Sequence, residues 1–530
     1  MVSSVLVDAL SDPTRSLVEL YNEIKDIDNF PARVAAHFAD IFASKDAYSE
    51  ARLHLHTVDP TQNDRCLVSF RAMIQDTSPS PEMYLAKRSG GRCGGWGLTD
   101  DQSTDDLEYS DLRENTVVWA VSVPSESPWV AAELDTASSL TRPTILESRP
   151  HKPHKFPDPG TPHLGVQVKV YDRVDSLRAT DVATLVGILT MECMTADLES
   201  PNVAPVPTVH LLFSRHLPLT ISPRVFPYSP ATTTFQTLRE ELISWIADEG
   251  LAGDRDAAEW VLLSIIAKVQ SRTPALLPPS LTISQFPPPA AQSSTPSLST
   301  VLSHLLPTVV TLPLSLDVLN SSSFYPESKN EDLHSGRLQL PRGSVCVVTE
   351  GGVTEGGVFD RGIMNLRAMQ EMMSTQTLEY AFPFSRFTFQ TDVVFLILSQ
   401  GKKSTFFQTN LNLPLRPNNK GELYSSPSKT KLPAPETLMM FRNLVGGAKT
   451  GNVSVGEKVA EYIQEDFVSE RKAASSAATV TSDDLIHRMM IARLLTLSLH
   501  QSEVSTEIWE RVKAMEETRK MRLDAIGSAK

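Results

Sequence analysis

Ser344-Val345-Cys346-Val347-Val348-Thr349-Glu350 and Asp392-Val393-Val394-Phe395-Leu396-Ile397-Leu398-Ser399-Gln400 are the two stretches that decide how this chain folds. Neither alternates apolar with polar residues. From Val345 to Thr349 every side chain is small, apolar or β-branched, and the second run has the same character. That is the composition of a strand buried on both faces. Between them, Arg361 to Met373 carries a helical pattern, and Leu378 to Phe389 reads as a short aromatic-rich strand or hairpin. Two fully buried strands joined through a helix predict a parallel sheet with helices on its faces.

Composition bounds the rest. A chain of 530 residues is long enough for roughly three or four domains. A hydrophobic share of 41% allows sizeable cores. The net charge of −14 repels a phosphate backbone, so strong direct nucleic-acid binding is not expected. No apolar run reaches the ~18 residues of a membrane span, and Met1 to Asp8 lacks the basic flank and apolar core of a secretory signal. Cys66, Cys93, Cys193 and Cys346 are too scattered for a disulfide framework or a zinc knuckle. A reducing, cytosolic or nuclear compartment is expected.

In chain order, four units are predicted. Residues 1–60 form a small helical unit with apolar faces at Leu17, Leu20 and Ile24, then Val34, Phe38, Ile41 and Phe42, split by Pro31. Residues 61–230 contain short strands at Cys66–Asp76, Thr116–Pro124, Gly165–Tyr171 and Val182–Leu189. Their order fits an oligonucleotide/oligosaccharide-binding (OB) barrel. The insertion at about 131–163, rich in Pro, Ser, Thr and His, reads as a disordered linker. Within it His151, His154 and His163 read as solvated rather than as metal ligands, and Arg149, Lys152 and Lys155 as a weak basic cluster. Gly90 to Gly95 reads as a loop, since no strand leads into it and no helix leaves it. Residues 231–435 continue the α/β pattern, with Asp256-x-x-Glu259 as a capping box for a buried helix through Trp260 and Ile266. Residues 436–530 are helical. Thr481-x-x-Asp484 caps the clearest helix, Ser505 caps the last, and the charged stretch Arg511 to Arg522 is expected to be solvated.

The most informative feature is a loop that lacks what a phosphate needs. After the strand expected at Ser280–Phe286, a working nucleoside triphosphatase places a glycine-rich loop ending in Gly-Lys-Ser/Thr. Its N–H groups cradle the phosphates and its lysine reaches the outer ones. This chain has Phe286-Pro287-Pro288-Pro289-Ala290-Ala291-Gln292-Ser293-Ser294-Thr295-Pro296 instead. Four prolines there offer no N–H, and neither glycine nor lysine is present. The Gly351–Gly357 segment lacks Lys-Ser/Thr and reads as a turn. Lys402, Lys403 and Arg416 read as solvated loop residues.

Several of these segments carry a family resemblance. Phe70-Arg71-x-Met73-Ile74-Gln75-Asp76, Val168-Lys169-Val170-Tyr171 with Gly187-Ile188-Leu189, Ala258-Glu259-Trp260-Val261-Leu262-Leu263-x-x-Ile266, and Ala492-Arg493-x-Leu495 ahead of Trp509 closely resemble the minichromosome maintenance (MCM) complex-binding protein family. Gly336, Leu338-x-Leu340, a turn and a strand ending in Glu350 also resemble the AAA+ core of MCM helicase subunits. Those enzymes have Asp-Glu where this chain has Thr349-Glu350, and an Asn sensor where it has Ser399-Gln400. A lid arginine reads the phosphate in such rings; Arg493 lies in a comparable helix but reads as a surface or interhelix salt bridge.

The resemblance implies a degenerate AAA+-like α/β domain with a helical lid, no cofactor and no catalytic residue. It implies association with MCM subunits, control of MCM assembly and release from chromatin, a nuclear location, and a role in DNA replication and sister-chromatid cohesion. Chromatin association would be indirect, and the partner-contacting residues are not readable from the sequence. Two other function classes stay open: an active AAA+ ATPase subunit, and an OB-fold protein that binds single strands.

Overall fold

The computed structural model describes residues 4–24, 26–43, 64–88, 92–98, 108–130, 151–158, 160–172, 177–194, 204–216, 225–229, 234–289, 294–353, 355–418, 422–473 and 481–528. The architecture is mixed α/β, with several sheets and twelve α-helices among the described residues.

Three short helices, α1 (Ser4–Ser11), α2 (Pro13–Ile24) and α3 (Phe30–Ile41), precede a barrel. Its strands are β1 (Leu67–Asp76), β2 (Glu82–Leu85), β3 (Leu112–Ser122), β4 (Gly165–Val170), β5 (Val182–Glu192) and β6 (Val206–His216). They run in the order β1-β5-β6-β4-β3, and β3 closes back onto β1, with β2 appended to β3. Only the β4–β6 contact is parallel. Closure removes the open edges that strands otherwise expose. Alternate residues fill the interior, among them Val68, Phe70, Ala72 and Ile74 of β1. The helices pack outside it, with Phe30 edge-on to Trp96 and Phe42 stacked on Phe213.

On the barrel wall, Lys169 Nζ reaches Glu82 at 2.7 Å and Glu192 at 2.6 Å. His210 Nε2 lies 2.7 Å from Glu192, and its Nδ1 lies 2.7 Å from the Tyr171 hydroxyl. Burial raises the Glu192 carboxyl, but His210 and Lys169 outweigh it and hold the group at about 2.

The second half opens with α4 (Phe235–Gly250) and α5 (Arg255–Ile265). It continues through β7 (Leu281–Ser284), α6 (Ser297–Leu305), β8 (Val309–Pro313), α7 (Leu316–Ser321), β9 (Glu327–Lys329), β10 (Asp332–His334) and β11 (Val345–Thr349). Then come α8 (Asp360–Thr375), β12 (Thr377–Ala381), β13 (Arg386–Gln390), β14 (Val394–Leu398) and β15 (Leu411–Pro414). Five of the strands form a parallel sheet ordered β8-β11-β14-β7-β15. The two decisive stretches are neighbours in it, with Val345 opposite Val394. Val345 and Val347 enter the core on one face, Cys346 and Val348 the core on the other. The absence of polar alternation thus has its physical cause. A smaller sheet, β10-β9-β12-β13, carries the aromatic hairpin. Four more helices follow: α9 (Pro435–Thr450), α10 (Glu457–Ala473), α11 (Ser482–Ser498) and α12 (Thr506–Ser528). They share one apolar core with α4, α5 and the parallel sheet.

Some helix ends match the sequence reading and others do not. Thr481 and Asp484 form the capping box of α11, and Ser505 Oγ accepts from the Ile508 N–H at 3.3 Å. The cap of α5 is Asp254 rather than Asp256: its side chain accepts from Ala257 N. The stretch Arg511 to Arg522 is not simply solvated either. Arg522 is 5% exposed and grips Asp254, itself 2% exposed, through both terminal nitrogens at 2.8 and 3.0 Å. One carboxylate therefore caps α5 and anchors the last helix.

The expected disordered insertion is corrected as well. Residues 131–150 and 159 lie outside the described residues, but Lys152, His154, Lys155 and Phe156 pack between the barrel and the smaller sheet, and His163 is buried beside Phe156. A one-turn helix, Pro153–Lys155, delivers Lys155, which is 1% exposed, to Asp76 at 2.7 Å and Asp332 at 2.5 Å. Lys152 and His154 also reach Asp332, at 3.0 and 2.9 Å. The weak basic cluster is a buried clasp, because two carboxylates from distant strands replace the water that lysine gives up. Arg149 lies outside the described residues.

Replacing Lys155 by Met would leave Asp76 buried beside an apolar tip, and the expected loss of stability is about 3–5 kcal/mol. A urea midpoint matching the parent's would contradict the clasp. Because the folded-state pKa of Glu192 lies below its unfolded value, its contribution is full at neutral pH and is lost as pH falls toward about 2. Glu192→Gln should therefore flatten the acid limb of a thermal-stability profile; an unaltered slope between neutral pH and that region would count against the network.

Candidate functional site

In open parallel sheets, ligands bind outside the carboxyl ends of the strands, where the order switches direction. In this sheet that point is β7. It lies between β14 and β15, and the chain leaves it for an edge strand, β8. The site is therefore built by the loop after β7, the loop after β11 and the loop after β14.

Among its described residues, 285–289, the first loop has no free backbone donor to give. Gln285, at φ +56, donates its N–H to Gly401 O at 3.0 Å, and Phe286 donates to Ser399 O at 2.9 Å. Pro287, Pro288 and Pro289 have none. Phe286 is 2% exposed, and its ring lies edge-on to Tyr424. The Tyr424 hydroxyl donates to Pro287 O at 2.8 Å, and burial pushes that phenol up to about 12. Residues 290–293 of the proline-rich stretch lie outside the described residues.

The second loop is pressed against the first. A Cβ on Gly351 would come within 2.9 Å of Pro289 Cδ and 3.3 Å of Pro288 Cα. Glycine is needed here because of this close approach. The Glu350 carboxylate is 5% exposed and already engaged. Ser404 Oγ donates to it at 2.6 Å, Thr405 N at 2.9 Å and Phe406 N at 3.4 Å. It fastens the loop after β14. Ser399 is buried, donating its hydroxyl to Lys403 O at 3.0 Å, while Gln400 points to solvent.

The remaining singled-out residues are dispersed. Lys402 Nζ reaches Ile526 O of the last helix at 2.7 Å, while Lys403 and Arg416 are exposed. Arg493 forms no ion pair among the described residues. It lines a cleft of about 410 Å³ with Pro278, Pro279, Asn410 and Ile486. Pro278 and Pro279 lead into β7 and Asn410 into β15, so the cleft borders the amino ends of the strands, away from the switch point. His154 and His163 do not converge: His154 stacks on His334, and His163 stacks on Phe156 at 4.2 Å. Sequence reading missed the clasp, whose only trace is the compact His151-Lys152-Pro153-His154-Lys155-Phe156.

Removing the Glu350 carboxylate as Glu350→Ala strands its buried donors and should destabilise the fold by about 1–3 kcal/mol. Gly351→Val should clash with the prolines and lower the melting temperature. Full stability in both variants would show that the loops are not packed in this way.

Comparison with known proteins follows the same lines. The sequence model of a family described as mini-chromosome maintenance replisome factor matches residues 132–523. Three similar proteins are each named mini-chromosome maintenance complex-binding protein. The one from Gallus gallus is 28% identical over 410 residues, 69% of this chain and 63% of the relative. The Salmo salar protein is 25% identical over 573 aligned residues, 89% of this chain and 90% of the relative. In Arabidopsis thaliana the figure is 26% over 449 residues, 80% of this chain and 72% of the relative. This chain therefore spans less than two thirds of the Gallus gallus relative, but nine tenths of the one from Salmo salar. Since the matched range exceeds half of its 530 residues, the chain belongs to the mini-chromosome maintenance replisome factor family.

Proposed function

We propose that this chain is a non-catalytic regulator of DNA replication that binds MCM subunits, as the relatives' name says of them. In this reading the closed barrel is an OB fold, and the parallel sheet with its helices is an AAA+ core that has lost its chemistry. The observation that carries it is the switch point. An anion there meets three prolines and two amides already bonded to carbonyls, and the neighbouring carboxylate holds a loop. The core keeps the shape of a helicase subunit without the means to grip a nucleotide.

A protein of this kind acts by occupying or covering a subunit's contact surface, which shifts assembly by mass action. It would hold MCM subunits out of, or draw them from, the assembled ring, and so govern their release from chromatin and contribute to sister-chromatid cohesion. Its place of action would be the nucleus. The net charge of −14 favours contact with the protein partner over direct contact with DNA.

Two measurements test this together. Purified chain mixed with MCM subunits should co-elute with at least one of them, and titration with magnesium-ATP should give no saturable heat. Hydrolysis of ATP that disappears in Glu350→Gln would replace the reading with that of an active ATPase. Failure to retain any MCM subunit would defeat the binding proposal itself.

A further inference from the structure

The hairpin formed by β12 and β13 ends the smaller sheet, and its two edges are treated differently by the rest of the chain. On the β10 side, the segment carrying the clasp lies alongside, and Ser335 N donates to His154 O at 2.8 Å. On the β13 side, no described residue bonds to the strand from outside. Arg386, Phe387, Thr388 and Gln390 are all exposed.

The hydrogen-bond phase of the hairpin can be read from its ends. Phe382 donates to Ser385 O at 2.9 Å, and Thr391 donates to Gln376 O at 2.8 Å. The register places Tyr380 opposite Phe387 and Leu378 opposite Phe389. Bonded and non-bonded pairs alternate along an antiparallel ladder. The amides and carbonyls of Phe387 and Phe389 therefore turn inward to β12. Those of Arg386, Thr388 and Gln390 turn outward, forming an unpaired row.

Exposed edges of this sort are normally guarded by a lysine, a proline, a bulge or a covering segment. β13 reads Arg-Phe-Thr-Phe-Gln, its register with β12 runs without a shift, and its one charge, Arg386, is held by Glu379 at 2.6 Å. Phe387 is 55% exposed and Phe384, at the turn, is 103% exposed. An unguarded aromatic edge is a template for a further strand.

We propose that β13 is a docking edge, onto which an extended segment of an MCM subunit adds as a fifth strand. Its backbone would pair with Arg386, Thr388 and Gln390, with apolar side chains against Phe384 and Phe387. The outward backbone groups specify an extended partner. The net charge of −14 repels a second copy and favours a segment bearing Lys or Arg. This rests on the reading that the chain binds MCM subunits.

Thr388→Pro is the discriminating variant. It removes an outward amide while leaving the inward bonds of Phe387 and Phe389 intact, as an edge strand tolerates. Against purified MCM subunits it should bind about tenfold or more weakly, the effect of leaving one partner carbonyl unpaired. Thr388→Val, which keeps the amide, should bind like the parent. Amide hydrogen exchange on the unmodified chain gives an independent readout: the amides of Arg386, Thr388 and Gln390 should slow in the complex. If the parent binds and those amides exchange as before, the docking edge is overturned and the binding reading survives. If the parent binds no MCM subunit, both fall. Slowing that appears on concentrating the chain alone identifies a second copy as the occupant and overturns the proposal.

Discussion

A single buried ammonium ties the two halves of this molecule together. Lys155 lies between Asp76 of the barrel and Asp332 of the smaller sheet, with almost no exposure to water. A lysine in that position depends on both carboxylates, since burial removes its hydration and the one other acceptor among the described residues, Leu333 O at 3.3 Å, carries no charge. Around it the contact is polar and specific. Gln339 donates to Gln75 O at 2.6 Å, and Trp129 donates to Ser303 O at 2.8 Å beneath the Arg442 guanidinium. Such an interface fixes geometry more than it adds stability, because each group is satisfied in one arrangement alone.

That fixed arrangement gives the closed switch point its meaning. An anion bound at the carboxyl ends of a parallel sheet needs free backbone amides there. In this chain the amides of Gln285 and Phe286 are bonded to the loop after β14, and the prolines lie on Gly351. The loop contributes to packing. Glu350 is engaged in the same way: the carboxylate that follows β11 accepts from Ser404, Thr405 and Phe406. Both loops thus hold the scaffold, whereas the outer edge of β13 meets no strand among the described residues.

The contrast between α5 and α12 shows where local pattern stops being informative. An acidic residue ahead of an apolar helix signals a cap, and by that rule the sequence pointed to Asp256, two residues beyond the Asp254 that serves. Arg522 arrives from the far end of the chain to bond Asp254 through two nitrogens and Asp256 through one, while the buried Asp254 carboxylate caps the helix and Asp256 stays in its first turn. The cleft beside Arg493 gives a parallel case. By its sequence Arg493 reads as a surface or interhelix salt bridge, but it forms no ion pair among the described residues and lines a cleft near the amino ends of the strands.

The parallel sheet and the lack of N–H donors at 287–289 were legible in the local sequence. Continuous apolar runs at Val345–Thr349 and Val394–Leu398 require burial on both faces, and prolines at 287–289 withhold N–H groups in any fold. Those are properties of the residues where they stand. Only the tertiary structure decided the fate of Lys155, Arg522 and Glu350, and which amides of β13 face outward. A buried charge is stable or ruinous according to partners far away in the chain, and the phase of a ladder is set by pairing, so neither leaves a periodic trace in the local sequence.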